Sequence, residues 1–422
     1  MSARCPSGAA HRCRISRYRA PIVKPKRYTG YRSYSYLEAG VDYQPFELVP
    51  EIGRVPTHTV PLGSAEEQRA MRLLDENVVV SLHDHTSVAV ANIERDSRAY
   101  RREGRDRTGY EGLAVSGLDA VFDCMMNGAN AITSQSGWKW TDTIHDLGQR
   151  LCDIAHQDLV VLGSRVSDIE DAHRDGRIAF IPALEAATCI ENEIDRLDVL
   201  YGLGIRCSGI SYAMANALGG GGREARDAGL TDLGRRAVKR MNRLGMAIDI
   251  SHCGVRTALD AVAASERPIF ISHVGARSLW NIPRLLPDEV FTACAAKGGV
   301  IGIEAAALTT ATRDRPRQTI DSVMQHFEHV ARLVGIEHVA FGPDTNFGDH
   351  VAQLRLTRPH LFAPPVGDAP SFEAIDYVEG MENPAECVPN IVRWLVGHGY
   401  SDGDIAKAVG GNVLRVLREV WV

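Results

Sequence analysis

The chain has 422 residues, of which 45% are hydrophobic and 24% are charged, and its formal net charge is −6. This is an ordinary globular composition. The mild acidic balance gives no electrostatic reason to expect nucleic acid or an anionic membrane as a partner. No apolar run approaches the roughly 18–20 residues that a membrane-spanning helix requires. The nine cysteines are scattered, odd in number and without a CxxC pair. A disulfide framework would use an even, clustered set, so this usage indicates reduced thiols and a cytoplasmic location.

The first 75 residues differ in composition from the rest of the chain. They are rich in Arg, Tyr, Pro and Gly and lack a sustained hydrophobic period, which indicates a partly irregular segment. We therefore divide the chain into an N-terminal extension, 1–75, and a main domain, 76–422. The extension is expected to wrap the main domain or to stay partly loose. Its basic start has no apolar core of the kind that a secretory signal needs, so we interpret it as a solvated tail.

From about Asn77 onward, short β-branched runs alternate with longer amphipathic stretches such as Leu230–Leu244 and Val323–Leu333. Runs that are apolar throughout are typical of parallel strands covered by helices on both faces. The alternation predicts an α/β fold, either a (β/α)₈ barrel or a doubly wound sheet. There is one strand candidate more than an eight-stranded barrel uses, and the sequence does not indicate which lies outside. The nine candidates are Val78–Leu82, Leu118–Phe122, Leu159–Leu162, Ile178–Leu184, Ile205–Ile210, Met246–Ile250, Ile269–Ile271, Gly299–Ile303 and Val339–Phe341.

The first strand candidate runs into His83-Asp84-His85. Side chains two residues apart in a strand point to the same side, so His83 and His85 can face one metal ion at the carboxyl end of the strand. Alone, a His-x-His pair is a weak signal, since each histidine could equally be a hydrogen-bonded core residue. The other strand ends decide between these interpretations.

Four later strand candidates run directly into a residue that can bind metal, namely Glu185, His252, His273 and Asp344. In an α/β barrel the carboxyl ends of the strands meet at one mouth, where catalytic groups gather. Six nitrogen and oxygen donors there suit two Zn²⁺-class ions bridged by a carboxylate, with ligands at roughly 2.0–2.2 Å. The sequence therefore predicts a two-metal site.

Longer motifs accompany these strand ends, in the order Leu200–Arg206, Gly229–Thr231, Met241–His252, Pro268–His273, Pro283–Glu289, Gly342–Asp344 and Gly411–Arg415. From about Asn77 to Val416 the chain resembles the membrane (renal) dipeptidase family, peptidase family M19 of the amidohydrolase superfamily. The resemblance implies a (β/α)₈ TIM barrel of the amidohydrolase type, with the N-terminal extension added. It also implies a binuclear zinc site and hydrolysis of small peptides.

The resemblance implies a role for each candidate residue. Six residues become ligands: His83, His85 and Asp344 at the first ion, Glu185 as the bridge, and His252 and His273 at the second. Asp344 would also handle the proton of the bridging water. Arg284 matches the arginine that receives the substrate carboxylate, with a solvated loop arginine as the alternative. The implied cofactors are two divalent metal ions, and Zn²⁺ is the expected one.

Three pocket positions depart from the family. The family has His-x-Asp at the first strand, and His85 replaces that aspartate, which removes one negative charge beside the metals. Tyr212 aligns with a histidine that contacts the scissile carbonyl oxygen; a phenol can still donate a hydrogen bond to an oxyanion but cannot be a cation near neutral pH. The tyrosine that helps to bind the substrate carboxylate has no clear counterpart, and Glu304 lies nearby. A carboxylate facing the pocket there would repel an anionic substrate terminus.

The function that follows is dipeptidase-like cleavage of an amide bond in a small molecule by a metal-bridging hydroxide. Asp344 would act as general base and then general acid, while Tyr212 would stabilise the oxyanion. Trp138 and Trp140 lie on a predicted barrel loop and are candidates to bind substrate, with loop packing as the alternative. The run Gly219–Gly222 predicts a flexible loop, with an active-site lid as the alternative.

Two other classes of function stay open. The same metal site could serve a specialised non-peptide amidohydrolase, a lactonase or a lyase. A non-catalytic barrel used as a binding scaffold is disfavoured, because all six ligand positions hold competent donors. The expected partner is a small-molecule substrate, a dipeptide or related amide, with no nucleic acid and no membrane. Assembly into a homo-oligomer is left open.

Overall fold

The computed structural model describes residues 26–124, 139–357 and 373–421. At its centre is one parallel sheet, whose strands alternate with helices along the chain. The strands are β1 (Val80–Asp84), β2 (Ala120–Cys124), β3 (Val160–Leu162), β4 (Ile178–Leu184), β5 (Cys207–Gly209), β6 (Ala247–Asp249), β7 (Phe270–Val274), β8 (Val300–Ile303) and β9 (Val339–Phe341). Each strand overlaps one of the nine predicted runs.

Eight of these strands form a nearly closed barrel, in the order β1-β2-β4-β5-β6-β7-β8-β9. Two backbone hydrogen bonds join its ends: the N–H of Asp344 donates to the carbonyl of His83, and the N–H of His85 donates to the carbonyl of Thr345, each at 2.9 Å. The strand outside this path is β3, which pairs only with the first half of β4. The predicted (β/α)₈ TIM barrel is confirmed, and the doubly wound sheet is excluded.

Helices cover the outside of the barrel, and the predicted stretches Leu230–Leu244 and Val323–Leu333 correspond to the helices Asp232–Leu244 and Ile320–Val334. Helix Asp232–Leu244 begins after Thr231, whose Oγ1 accepts a hydrogen bond from the N–H of Gly234 at 3.0 Å, and it ends at Gly245 in a left-handed conformation. None of the helices in the described ranges has the length and apolar character that a membrane span needs. The α-helices are Ser64–Glu76, Ile93–Arg102, Tyr110–Val115, Trp140–Ile154, Val166–Asp175, Arg196–Gly202, Asp232–Leu244, Val255–Ala264, Asp288–Ala296, Ile320–Val334, His350–Thr357, Pro384–Gly397, Asp402–Ala406 and Asn412–Val420.

The interior of the barrel is apolar below the strand ends and tightly packed beneath the mouth. Phe122 and Phe270 contact each other with ring centroids 6.2 Å apart, and Trp421 lies 6.2 Å from the ring of Phe122. Higher up, a methyl group at either Gly302 or Gly342 would come within 2.0 Å of the carbonyl oxygen of Ser272. Only glycine therefore allows the ends of β7, β8 and β9 to approach each other this closely.

The described part of the N-terminal extension lies against the barrel and is held there by polar contacts. The carboxylate of Asp153 accepts hydrogen bonds from the hydroxyls of Tyr31, Ser33 and Tyr110 and from the N–H of Tyr34, at 2.6–2.9 Å. In residues 26–75 the extension thus wraps the main domain. The division of the chain after residue 75 stays a prediction, and one helix, 64–76, crosses that position.

Replacing Asp153 with alanine is expected to lower the free energy of unfolding by about 3 kcal/mol, because several buried donors lose a charged acceptor together. Chemical denaturation measures this change. The matched control is Asp158→Ala, since that aspartate is 80% exposed and its loss should cost less than about 0.5 kcal/mol. Equal effects of the two substitutions would contradict the anchoring role of Asp153.

Candidate metal centre

The structure brings the six predicted ligand residues together at the carboxyl end of the barrel. They form two overlapping groups whose possible ligand atoms lie within 4.8 Å of one another: His83, His85, Glu185 and Asp344 in the first, and Glu185, His252 and His273 in the second. Glu185 belongs to both groups. Strands that are far apart in sequence deliver these side chains to one mouth, as the barrel topology requires.

The two carboxylate oxygens of Glu185 face different histidines. Oε1 lies 3.3 Å from Nε2 of His83 and 3.4 Å from Nε2 of His85, whereas Oε2 lies 3.4 Å from Nε2 of His252. Nε2 of His252 is in turn 2.9 Å from Nε2 of His273. A carboxylate placed in this way can bridge two cations, one on each side.

The donor set fits divalent metal ions in both spacing and polarity. Ligands at about 2.0–2.1 Å from a tetrahedral ion are about 3.4 Å from one another, and the donor atoms of His83 and His85 lie 3.1–3.4 Å from those of Glu185 and Asp344. In addition, Nε2 of His83 and Oε2 of Glu185 are buried without a hydrogen-bond partner among the described residues. Buried polar atoms without partners are costly, and a bound cation would satisfy both.

Hydrogen bonds behind the histidines orient their Nε2 atoms toward the centre. Nδ1 of His85 donates to the carbonyl of Cys124 at 3.0 Å. The hydroxyl of Ser272 donates to Asp249 at 2.6 Å, so at 2.7 Å it accepts from Nδ1 of His273. Because each Nδ1 carries the proton, each Nε2 offers a lone pair. Sequence reasoning missed this role of Asp249, which depends on a contact between β6 and β7.

Asp84 and Asp344 have opposite roles. Asp84 points away from the centre: its Oδ1 accepts hydrogen bonds from the N–H and the hydroxyl of Thr345, both at 2.8 Å, which ties β1 to the segment that follows β9. Asp344 adopts a left-handed backbone conformation with φ of 58°, which aspartate tolerates better than most residues. Burial acts to raise the pKa of Asp344, but its close contacts with the imidazoles of His83 and His85 hold that pKa well below its usual range. Its carboxylate is therefore ionised.

Tyr212 lies beside the metal centre, with its ring centroid 4.2 Å from that of His252. The glycine run is not a loose loop. Within it, the N–H of Gly222 donates to the carbonyl of His252 at 2.7 Å, and a methyl group on Gly221 would come within 2.4 Å of the carbonyl oxygen of Tyr212. The prediction of a flexible loop at this place is therefore wrong, since the run packs between the segments that carry Tyr212 and His252.

Arg284 lies at the same mouth, and its guanidinium contacts the carboxylate of Glu304. Burial raises the pKa of Glu304 to about 7, and the charge of Arg284 opposes that rise. The guanidinium carbon of Arg196 lies 4.8 Å from the ring centroid of Trp140. The contact of Trp140 with substrate stays a prediction. Trp138 lies outside the described residues.

Two further residues near the centre were not singled out from the sequence. The ring of His350 lies 5.9 Å from that of His85, and both His350 and Arg54 line a pocket beside Asp344. Nε of Arg54 donates to the carboxylate of Glu382 at 2.6 Å. His350 follows no strand directly, and Arg54 belongs to the extension, so neither position carried a strand-end signal.

Curated relatives and solved structures resemble this chain over most of its barrel. Dipeptidase verJ of Clonostachys rogersoniana is 30% identical over 304 residues, which cover 72% of this chain and 68% of that protein. Dipeptidase tcpJ of Claviceps purpurea is 27% identical over 277 residues; the match covers 65% of this chain but only 58% of that protein. An amidohydrolase from Pseudomonas aeruginosa has a TM-score of 0.67 and 25% identity, covering 83% of this chain and 99% of its own.

A metallopeptidase from Rhodobacter sphaeroides, liganded with a phosphinate mimic of the dipeptide L-Ala-D-Ala, shares the fold. Its TM-score is 0.63 at 18% identity, and the match covers 82% of this chain and all of that one.

The family model of membrane dipeptidases, peptidase family M19, matches residues 67–355 and 365–421. That match spans most of the chain and includes every predicted metal ligand. The chain therefore belongs to the membrane dipeptidase family, peptidase family M19.

Proposed function

We propose that the protein is a binuclear metal-dependent hydrolase that cleaves an amide bond in a small molecule. The observation that carries this proposal is the placement of Glu185, whose two oxygens face two separate sets of histidine donors. Membership of the dipeptidase family supports the reaction class. The dipeptide mimic bound to the Rhodobacter sphaeroides metallopeptidase supports a small peptide-like substrate.

Zinc as the metal, and two ions as the number, are part of the proposal. Imidazole nitrogens and carboxylate oxygens at tetrahedral spacing suit Zn²⁺. When bound, two such ions would supply a hydroxide nucleophile near neutral pH and polarise the carbonyl group of the substrate. His83, His85 and Asp344 would hold the first ion, His252 and His273 the second, and Glu185 both.

Two residues of the chain would carry out the remaining chemistry. Asp344 is ionised and 13% exposed at its side chain, so it can accept the proton of the attacking water and return it to the leaving amine. Tyr212 can donate its hydroxyl proton in a hydrogen bond to the oxyanion that develops from the carbonyl oxygen. The histidines and Glu185 are nearly inaccessible to solvent, and this burial strengthens each electrostatic contact at the centre.

Tyr212→Phe is expected to lower kcat by about 10²–10³-fold with a smaller change in KM, because an oxyanion donor acts mainly in the transition state. Steady-state kinetics on a cleaved substrate measure both constants. Tyr201→Phe is the matched control, since that tyrosine lies under Arg206 at 4.0 Å and should keep wild-type turnover. Unchanged kcat in Tyr212→Phe would exclude the hydroxyl as oxyanion donor.

The proposed function is tested with the full chain, freed of metal by a chelator and then reconstituted with Zn²⁺. We expect about two ions per chain by elemental analysis and hydrolysis of a panel of free and blocked dipeptides only after reconstitution. A fully loaded protein that hydrolyses no member of the panel would contradict the proposal.

The cytoplasmic location stays a prediction that rests on cysteine usage; the seven cysteines in the described ranges are free. Assembly into a homo-oligomer also stays a prediction.

A further inference from the structure

The guanidinium of Arg284 is already engaged by acceptors from the protein itself. Its Nη1 donates to the carbonyl of Ser251 at 3.3 Å, and its Nη2 donates to the carbonyl of His273 at 3.0 Å and to the carboxylate of Glu304. Ser251 precedes His252, so these carbonyls belong to the two segments that carry the second histidine pair. Arg284 thus helps to position those segments.

Glu304 reaches from Arg284 to the edge of the metal centre. Its side chain is 0% exposed, whereas that of Arg284 is 15% exposed. Its Oε1 is buried without a hydrogen-bond partner among the described residues. A carboxylate oxygen of Glu304 also lies within 4.8 Å of possible ligand atoms of His273 and Asp344. The protein therefore places a fixed carboxylate between Arg284 and the reacting centre.

This ion pair changes what the pocket can recognise. In its ionised form Glu304 neutralises the charge of Arg284, and at short range in a buried region it would repel a carboxylate that a substrate brought to the same place. A substrate that displaced Glu304 would leave a buried charge without its partner, which is strongly unfavourable. The adjoining pocket repeats the arrangement, because Arg54 is paired with Glu382 there at 2.6 Å.

We infer that Glu304 is the protein's own substitute for a substrate carboxylate, and that the enzyme prefers amides whose carboxyl terminus is blocked, as a carboxamide or an ester, over free dipeptides. This inference rests on the proposed function and names its substrate class. Water adds its hydroxyl to the acyl carbon, the C–N bond breaks, and the proton goes to the leaving amine, so the blocked terminus is unchanged. Glu304 is then a residue that determines specificity.

The first test compares L-Ala-L-Ala with L-Ala-L-Ala carboxamide on the Zn²⁺-reconstituted full chain. We expect kcat/KM to be about tenfold or more higher for the carboxamide, the effect of one unfavourable charged contact. Calorimetry with a phosphinate mimic of Ala-Ala, as free acid and as carboxamide, measures the same preference without turnover. A tenfold preference for the free acid would overturn the inference, and this comparison needs no variant.

The second test uses Glu304→Gln, which keeps the size of the side chain and an oxygen for Arg284 but removes the negative charge. The kcat/KM for the free acid, divided by the kcat/KM for the carboxamide, should rise by about 10- to 100-fold. The metal content should not change. Glu289→Gln is the matched control, because that glutamate is exposed on the helix after Arg284 and should keep the wild-type ratio. Loss of metal from Glu304→Gln would make Glu304 a ligand and would overturn the inference.

These outcomes separate the inference from the proposed function. If the wild type binds the carboxamide phosphinate more tightly but cleaves no amide, the proposed reaction is wrong and the inferred specificity stands. If it cleaves the free dipeptide much faster than the carboxamide, the proposed reaction stands and the inference is wrong. An equal ratio in the wild type and in Glu304→Gln also overturns the inference.

Discussion

Replacing Glu185 with glutamine is expected to reduce hydrolysis to background and to end the stabilisation of the fold by Zn²⁺. The carboxylate offers one oxygen to each histidine set, at 3.3–3.4 Å from their Nε2 atoms. Glutamine keeps one carbonyl oxygen but supplies no negative charge between two cations. Without that charge, the repulsion between the ions and the burial of their ligands both oppose metal binding.

The loss of Zn²⁺ from Glu185→Gln can be measured without a substrate. For the wild type, free Zn²⁺ at 100 times its Kd should stabilise the fold by about 2.7 kcal/mol, which for a chain of 422 residues corresponds to a rise in Tm of about 3 °C. The variant should show no such rise. Glu193→Gln, a change at an exposed glutamate in the loop after β4, should respond like the wild type. A variant with full metal content and turnover would contradict the bridging role.

Asp344→Asn is expected to keep bound metal but to lower kcat by about 10²–10⁴-fold, the range for loss of a general acid–base group. Asparagine retains an oxygen near Nε2 of His83 and His85, from which Oδ1 of Asp344 lies 3.4 and 3.1 Å away, but it cannot carry the proton. Elemental analysis and steady-state kinetics on the same preparation measure both effects.

The matched control for Asp344→Asn is Asp349→Asn. Asp349 accepts a hydrogen bond from the N–H of Ala352 at 2.8 Å at the start of a helix, and asparagine caps helices as well as aspartate does. This variant should keep wild-type turnover. If Asp344→Asn kept most of its turnover with metal still bound, the proton-transfer role of Asp344 would be wrong.

Positions that depend on local periodicity could be predicted from the sequence. His83 and His85 share one side of a strand because side chains alternate in β-structure, and Glu185, His252, His273 and Asp344 each end or follow an apolar run. Parallel strands of a barrel converge at their carboxyl ends, so strand-end position alone was enough to bring these residues together. The candidate ligands therefore followed from pattern and topology, whereas the choice of a barrel over a doubly wound sheet rested on the family resemblance.

Contacts that join different strand ends could not be predicted in the same way. Val160–Leu162 has the same apolar character as the barrel strands, and only its pairing with half of β4 places it outside. The run Gly219–Gly222 has the composition of a flexible loop, but the nearby carbonyls of Tyr212 and His252 require small residues there. A run of glycines by itself does not distinguish a flexible loop from a place where two backbone segments pack closely together.

Spacing within single segments was enough to predict the strand-end donors, and the motifs shared with the dipeptidase family were enough to predict the barrel in which those donors meet. Three other features became visible only in the folded chain: Glu304 pairs with Arg284, Asp84 faces Thr345 instead of the candidate metal centre, and β3 lies outside the barrel. An ion pair or a hydrogen bond between separate segments depends on side-chain directions within a few ångströms, and the barrel establishes those directions only when it closes.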